Sequence, residues 1–243
     1  MIPPKAVLFD LGNTVLREED FDMTAGRRRM LELSENHHGV CLETLTRAAD
    51  ELYAVVLPQR ESAMMELSCR QFARLLYERL GITFALSPVE LELEFWKSST
   101  RMSPTPGIYE TLDALAGRGL PIAVLSNSMF SQETLAWELS HHELSTRFGF
   151  VMSSADYGLR KPHSQLFLTA AAKLGVEPQH VWFVGDSLKH DIAGAQSVGM
   201  TAIWYNPDRA PSSEPLPDAT ISEWSELGVL LRQVASGSTG RRS

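Results

Sequence analysis

The chain has 243 residues, of which 44% are apolar and 21% charged, and its formal net charge is −8. This composition is typical of a globular protein and excludes a collagen-like or largely disordered chain. The acidic balance disfavours nucleic acid as a partner, which would require a basic face. The two cysteines, Cys41 and Cys69, are too few for a disulfide framework and favour the cytoplasm. No apolar stretch reaches the length of a membrane span, so we expect no membrane partner.

Short apolar runs that end on a polar residue recur along the chain. The first is KAVLFD at residues 5–10, and it is typical of a buried strand in a parallel sheet. Similar runs lie at residues 121–127, 150–154, 181–186 and 201–206. Helical patterns separate them, at residues 108–119, 165–175 and 191–199, and each pattern stops at a glycine. This alternation predicts a doubly wound α/β fold with a parallel, Rossmann-like sheet.

A long segment at residues 17–103 interrupts this alternation after the first predicted strand. Its apolar residues recur at helical spacing from Leu42 to Val56 and again from Phe72 to Leu80. The predicted division is therefore an α/β core of residues 1–16 and 104–243 and an inserted all-helical cap of residues 17–103.

One stretch of this segment gives conflicting signals. Residues 89–95, VELELEF, alternate between apolar and acidic residues as a strand does. However, Ser87 and Glu90 have the spacing of a capping box, and Pro88 fits the first position of a helix. We therefore predict a helix.

Four polar side chains follow the predicted strands. Ligands of open α/β sheets bind at the carboxyl ends of the strands, where this chain carries Asp10, Ser126, Lys161 and Asp186. Two adjacent carboxylates repel each other, and Mg²⁺, which prefers oxygen ligands, is the usual remedy. A phosphate would bridge the metal, the hydroxyl group of Ser126 and the ammonium group of Lys161. A carboxylate facing the phosphorus could then attack it and form an aspartyl-phosphate.

The same residues lie in four ordered motifs that resemble those of the haloacid dehalogenase-like hydrolase superfamily. The motifs are FDLGNT at residues 9–14, the strand ending in Ser126-Asn127, Lys161 in GLRKPHSQLF, and GDSLKHD at residues 185–191. The helical segment after the first motif is similar to the cap of that family. The resemblance implies a Mg²⁺-dependent phosphatase that acts on a small phosphorylated metabolite.

The resemblance also implies a role for each motif residue. Asp10 would be the nucleophile, and Thr14 would hold the turn after it. The metal ligands would be Asp10, the backbone carbonyl of Gly12 and Asp186, with Asp191 in support. The phosphoryl group would be held by Ser126, Asn127 and Lys161.

Gly12 departs from the pattern of the family's phosphatases, which carry a second aspartate at this position. That aspartate protonates the leaving group, and loss of such general acid–base catalysis costs about 10²–10⁴-fold in rate. Glu18, Glu19 and Asp20 are candidates to replace it. Two alternatives remain open: a 2-haloacid dehalogenase, which needs no metal, and a catalytically weakened protein that binds phosphate or a partner.

Overall fold

The computed structural model of the protein describes residues 1–36, 38–212 and 214–239. Its strands are β1 (Ala6–Phe9), β2 (Leu16–Phe21), β3 (Ser34–Glu35), β4 (Thr83–Phe84), β5 (Thr100–Pro104), β6 (Ile122–Ser126), β7 (Val151–Ser153), β8 (Val181–Gly185), β9 (Thr201–Tyr205) and β10 (Ala219–Ile221). Its helices are α1 (Met23–Leu33), α2 (Leu42–Ser62), α3 (Cys69–Leu80), α4 (Pro88–Ser99), α5 (Ile108–Ala116), α6 (Gln132–His141), α7 (Ser154–Tyr157), α8 (Ser164–Leu174), α9 (Ala193–Ser197) and α10 (Trp224–Thr239). Within the described ranges, no helix combines the length and the apolar character that a bilayer crossing requires.

Six strands form one parallel sheet in the order β10-β9-β8-β1-β6-β7. The predicted α/β fold is confirmed. Helices α5, α6 and α10 cover one face of the sheet, and α8 and α9 cover the other. Every residue of β1 is fully buried, because the strand lies between β6 and β8 and beneath helices on both faces. This double burial explains why the strands read as continuous apolar runs rather than alternating ones.

Two elements of this layer were not predicted. Strand β10 is only three residues long, so it gives almost no periodic signal. Helix α6 has a weakly segregated sequence, QETLAWELSH, whose buried positions include Thr134 and Glu138 beside two leucines. Helix α10 is the last element of this layer.

The segment between β1 and α5, which we call the insert, has a small core of its own. Helices α1, α2 and α3 contribute Met30, Leu45, Leu76 and Tyr77 to this core. Helix α4 is present with the predicted capping box and with Pro88 in its first turn, so the helical interpretation of residues 89–95 is confirmed.

The insert is not helical throughout, contrary to the prediction. Strand β2 pairs antiparallel with β5, and β3 pairs antiparallel with β4. Strands β2 and β5 are the segments by which the chain enters and leaves the insert, so their pairing satisfies backbone groups at that boundary. Strand β2 was not predicted because its sequence, LREEDF, is largely charged and contains no apolar run. The division into core and cap domains stays a prediction.

Trp224 connects the last helix to the turn that follows β1. Its side chain is fully buried and stacks on Tyr205, with 4.4 Å between ring centroids. The indole Nε1 donates to the Thr105 hydroxyl group at 2.9 Å, and that hydroxyl group donates to the Thr14 carbonyl at 2.8 Å. The chain of contacts fixes the turn that leads out of Asp10.

Replacing this anchor is expected to destabilise the whole core. Trp224→Ala should lower the free energy of unfolding by about 3–5 kcal/mol, because it removes a fully buried aromatic side chain and leaves a cavity. Urea unfolding measures the change. The matched control is Leu216→Ala, at a position that is 60% exposed, where we expect a change within about 0.5 kcal/mol. Equal midpoints for the two variants would contradict the prediction.

Candidate active site

The strand order brings three of the predicted site residues to one edge of the sheet. Asp10 directly follows β1, Ser126 ends β6, and Asp186 directly follows β8. Because β1 pairs with both β6 and β8, the three residues lie at the ends of adjacent strands. The Asp10 backbone N–H continues the ladder and donates to the Val184 carbonyl at 2.9 Å.

Lys161 lies at the centre of this edge and is 1% exposed. Its Nζ donates to Asp10 Oδ1 at 2.5 Å, to Asp191 Oδ1 at 2.6 Å and to the Leu125 carbonyl at 3.0 Å. These three acceptors match the three protons of an ammonium group. Burial by itself lowers the pKa of Lys161, but the charges of Asp10 and Asp191 outweigh it and raise the pKa above its ordinary value.

The side chain of Asn127 holds the backbone of Lys161. Asn127 Oδ1 accepts from the Lys161 N–H at 2.7 Å, and Asn127 Nδ2 donates to the Lys161 carbonyl at 3.0 Å. Both polar groups of the amide are therefore engaged by the protein. The sequence analysis gave Asn127 a phosphate-binding role and did not predict that its side chain positions Lys161.

Three carboxylates surround the ammonium group. Oxygen atoms of Asp10, Asp186 and Asp191 all lie within 4.8 Å of one another. Burial raises the pKa of Asp10 to about 6, and the Asp191 charge adds to this effect while Lys161 opposes it. Burial, followed by the charges of Asp10 and Asp191, raises the pKa of Asp186 to about 7. Three acids against one lysine leave an excess of negative charge on an all-oxygen donor set, which fits Mg²⁺.

Asp191 reaches the site from a π-helical turn at Leu188–Ile192. The turn directs its carboxylate back toward the end of β8, where Asp191 Oδ2 accepts from the Ser187 N–H at 3.0 Å. A Cβ atom at Gly185 would overlap this carboxylate. The glycine of GDSLKHD is therefore required by the position of Asp191, a role that the sequence analysis missed although the motif contained it.

Thr14 and Gly12 lie in the tight turn after Asp10. Thr14 Oγ1 donates to Asp10 Oδ2 at 3.3 Å, so the second oxygen of that carboxylate also has a partner. Gly12 lines a cavity of about 880 Å³ that lies between the sheet edge and the insert, together with Ser126. A Cβ atom at Gly12 would meet no other atom within 4 Å, and the φ of Gly12 lies outside the left-handed region. A side chain at this position is therefore sterically allowed.

The three candidate replacements for the missing acid differ in their surroundings. Glu18 lines the same cavity as Gly12. Glu19 is exposed, and a hydrogen bond from Ser103 is the main cause of a lowered pKa, which makes it a poorer proton donor. Asp20 is paired with Arg101 at 2.6 Å on the outer face of the β2–β5 pair. Of the three, Glu18 is the one that lines the cavity shared with Gly12 and Ser126.

Comparison with known proteins identifies the family. The chain matches the haloacid dehalogenase-like hydrolase family over residues 36–205. The chain belongs to this family. It is 29% identical over 140 residues to a glyceraldehyde 3-phosphate phosphatase from Methanopyrus kandleri, a match that covers 55% of this chain and 59% of that protein. It is 30% identical over 142 residues to a phosphoserine phosphatase from Thermus thermophilus, with 57% and 55% covered. The matched part is little more than half the length of either curated relative.

A solved structure covers nearly the whole chain. A 2-haloacid dehalogenase from Pseudomonas syringae pv. Tomato superposes with a TM-score of 0.65 and 26% identity, over 96% of this chain and 99% of that one. The haloacid dehalogenase-like fold thus extends over the core and the insert alike. Both phosphatases and a dehalogenase are similar to this chain. The choice between phosphate ester hydrolysis and dehalogenation must therefore be argued from its own side chains.

The close packing of Gly185 against Asp191 gives a direct test of the site geometry. Gly185→Ala should lower the free energy of unfolding by about 1–3 kcal/mol, because the added methyl group must displace a buried carboxylate or a strand of the central sheet. Thermal unfolding measures the loss. Gly149→Ala is the matched control, since its Cβ atom would lie 3.6 Å from the nearest atom, the Ile122 carbonyl oxygen. If the two variants are equally stable, the packing described here is wrong.

Proposed function

We propose that this hydrolase is a Mg²⁺-dependent phosphomonoesterase that acts on a small phosphorylated substrate through an aspartyl-phosphate on Asp10. The observation that carries the proposal is the cluster of Asp10, Asp186 and Asp191 around Lys161. In a dehalogenase without a metal, three adjacent carboxylates would repel a 2-haloacid, which is itself an anion. The similarity to two phosphatases at about 30% identity supports the same reaction class.

The proposed reaction has two steps. Asp10 attacks the phosphorus, so that a bond to its carboxylate oxygen forms while the bond to the leaving oxygen breaks. Water then hydrolyses the aspartyl-phosphate and regenerates the carboxylate. Ser126 would orient a phosphoryl oxygen. Lys161 would hold Asp10 in position and exchange one of its three acceptors for a phosphoryl oxygen, and Asn127 would hold the backbone of Lys161.

The metal would be held by Asp10, the Gly12 carbonyl and Asp186, with Asp191 in support. When bound, Mg²⁺ would neutralise the excess charge of the carboxylates and of the phosphate, and thus let two anions approach each other. Lys161 cannot do this alone, because its three donors are already directed at Asp10, Asp191 and Leu125.

The second candidate function is 2-haloacid dehalogenation. It is favoured by the end-to-end similarity to the Pseudomonas syringae dehalogenase and by the absence of an acid at Gly12. In that reaction Asp10 would attack carbon and displace halide, which needs no proton. Asp186 counts against this reading, because its pKa is raised by burial and by two neighbouring acids in a site with no cation to balance it other than Lys161.

Metal dependence separates the two candidates. Hydrolysis of p-nitrophenyl phosphate is expected to fall to background in excess EDTA and to return on addition of Mg²⁺, because the carboxylate cluster repels the phosphate when no metal is bound. Release of nitrophenol measures the rate. Halide release from a 2-haloacid in the presence of EDTA would instead establish the dehalogenase.

Two variants serve as controls for this experiment. Asp10→Asn should remove turnover, since an amide cannot attack phosphorus. Asp113 is an exposed acid on helix α5 that pairs with Arg147. The turnover of Asp113→Asn should therefore match that of the unaltered protein. Retention of more than a few per cent of activity by purified Asp10→Asn would exclude Asp10 as the nucleophile.

Gly12 predicts a preference among leaving groups. An aryl phosphate leaves as a stabilised anion, whereas a sugar phosphate leaves as a basic alkoxide that needs a proton. Without an acid at residue 12, we expect aryl phosphates to be hydrolysed much faster than sugar phosphates. Gly12→Asp should raise the rate on sugar phosphates by up to about 10²–10⁴-fold, because the backbone and the free space accept the side chain.

Steady-state kinetics on p-nitrophenyl phosphate and glucose 6-phosphate, with both proteins, measure this effect. Equal rates on the two substrates in the unaltered protein would show that another group supplies the proton. Glu18→Gln then tests whether Glu18 is that group.

A further inference from the structure

The cavity that begins at Gly12 and Ser126 extends far into the insert. Its volume of about 880 Å³ is near the upper end of the range of about 300–1,000 Å³ for small-molecule sites. The phosphoryl group and a short polar substrate would fill only its mouth. The remaining volume must therefore be water or a further part of the substrate.

Apolar side chains from both the insert and the core line this volume. They include Phe21, Met30, Tyr77, Phe84, Phe95 and Phe130. Phe95 and Phe130 are nearly parallel, with 6.1 Å between ring centroids, and Phe21 meets Phe130 edge-on at 6.3 Å. Water is poorly held by such walls, whereas an apolar group gains free energy in proportion to the area it buries there.

The arginine side chains on the wall already have partners in the protein. Each of the four arginines that line the cavity forms an ion pair: Arg27 with Asp50, Arg60 with Glu66, Arg70 with Glu92 and Arg74 with Glu78. Tyr53, which also lines it, donates its hydroxyl group to the sulfur atom of Met129. A second anionic group on a substrate would meet arginines whose charge is already balanced, beside the carboxylates of Glu66, Glu78 and Glu92. Compact, doubly charged metabolites are therefore poorly matched to this cavity.

We infer that the substrate of this hydrolase is a phosphomonoester of a bulky apolar alcohol or phenol, whose aromatic or branched aliphatic group fills the cavity beneath the insert. The inference rests on the proposed phosphatase function. It separates this chain from the two curated phosphatases it resembles, whose named substrates, glyceraldehyde 3-phosphate and phosphoserine, are small and polar.

The first test compares two substrates that differ in size but not in chemistry. Phenyl phosphate and p-tert-butylphenyl phosphate have leaving groups of nearly equal basicity, so the effect of Gly12 on protonation cancels between them. The kcat/KM for the tert-butyl compound is expected to be higher by about tenfold or more, because four further carbon atoms leave water. Equal values, or a preference for phosphoserine over both, would overturn the inference and leave the phosphatase function intact.

The second test fills the cavity from helix α3. Ala73 lines the cavity, whereas Leu75, two residues further along the same helix, is 54% exposed and does not. Ala73→Trp should reduce the ratio of the two kcat/KM values by about tenfold, and Leu75→Trp should leave the ratio unchanged. A ratio that is the same in both variants would contradict the placement of the apolar group.

A binding measurement separates failure of this inference from failure of the proposed function. The probe is p-tert-butylphenylphosphonate, which has no ester bond to hydrolyse, and isothermal titration calorimetry with Mg²⁺ present measures its affinity. Tight binding that Ala73→Trp weakens and Leu75→Trp does not would support the cavity assignment even if no phosphate ester were hydrolysed. Binding no tighter than that of phenylphosphonate would overturn it.

Discussion

The buried ammonium group of Lys161 constrains every other part of the site. A charge with 1% exposure is stable only when it is paired and hydrogen-bonded, and Lys161 meets that condition through Asp10, Asp191 and the Leu125 carbonyl. Each acceptor comes from a different element: the end of β1, the π-helical turn after β8, and β6. The register of the central strands, the π-helical turn and the loop before α8 must therefore all be correct for one cation to be satisfied.

Among the residues that the structure describes, none forms an ion pair with the third acid, Asp186. Lys161 balances one of the three carboxylates, and burial together with the other two charges raises the pKa of Asp186 to about 7. A folded chain keeps such an arrangement only if it serves a purpose, because a hydrophobic or amide side chain would be more stable there. A bound divalent cation, as proposed above, would turn this local destabilisation into binding free energy. The excess negative charge of the site thus explains both the raised pKa of Asp186 and the proposed metal dependence.

The sequence predicted the parts of the molecule that follow from local patterns. Apolar runs ending on Asp10, Ser126 and Asp186 identified the central strands, because strands buried on both faces must be apolar throughout. The capping box at Ser87 was enough to recognise helix α4 against an alternating pattern. What could not be predicted depends on contacts between distant residues. The two hydrogen bonds between Asn127 and Lys161 leave no periodic pattern in the sequence, and neither do the arginine pairs of the cavity.

The boundary between the insert and the core contains three buried acids, and each accepts a hydrogen bond from the other side of the boundary. Glu66 of the insert accepts from Ser154 at 2.8 Å, Glu92 accepts from Ser131 at 2.6 Å, and Glu138 of the core accepts from Trp96 at 2.6 Å. An interface closed only by apolar groups would lose free energy in proportion to its area on opening. Carboxylates can exchange these partners for water, so their hydrogen bonds contribute modestly to the stability of the interface between insert and core. A carboxylate left unpaired within that interface would be costly. Polar contacts at the boundary and apolar walls inside the cavity therefore have different roles: the polar contacts align the insert on the core, and the apolar walls would bind the apolar group of the proposed substrate.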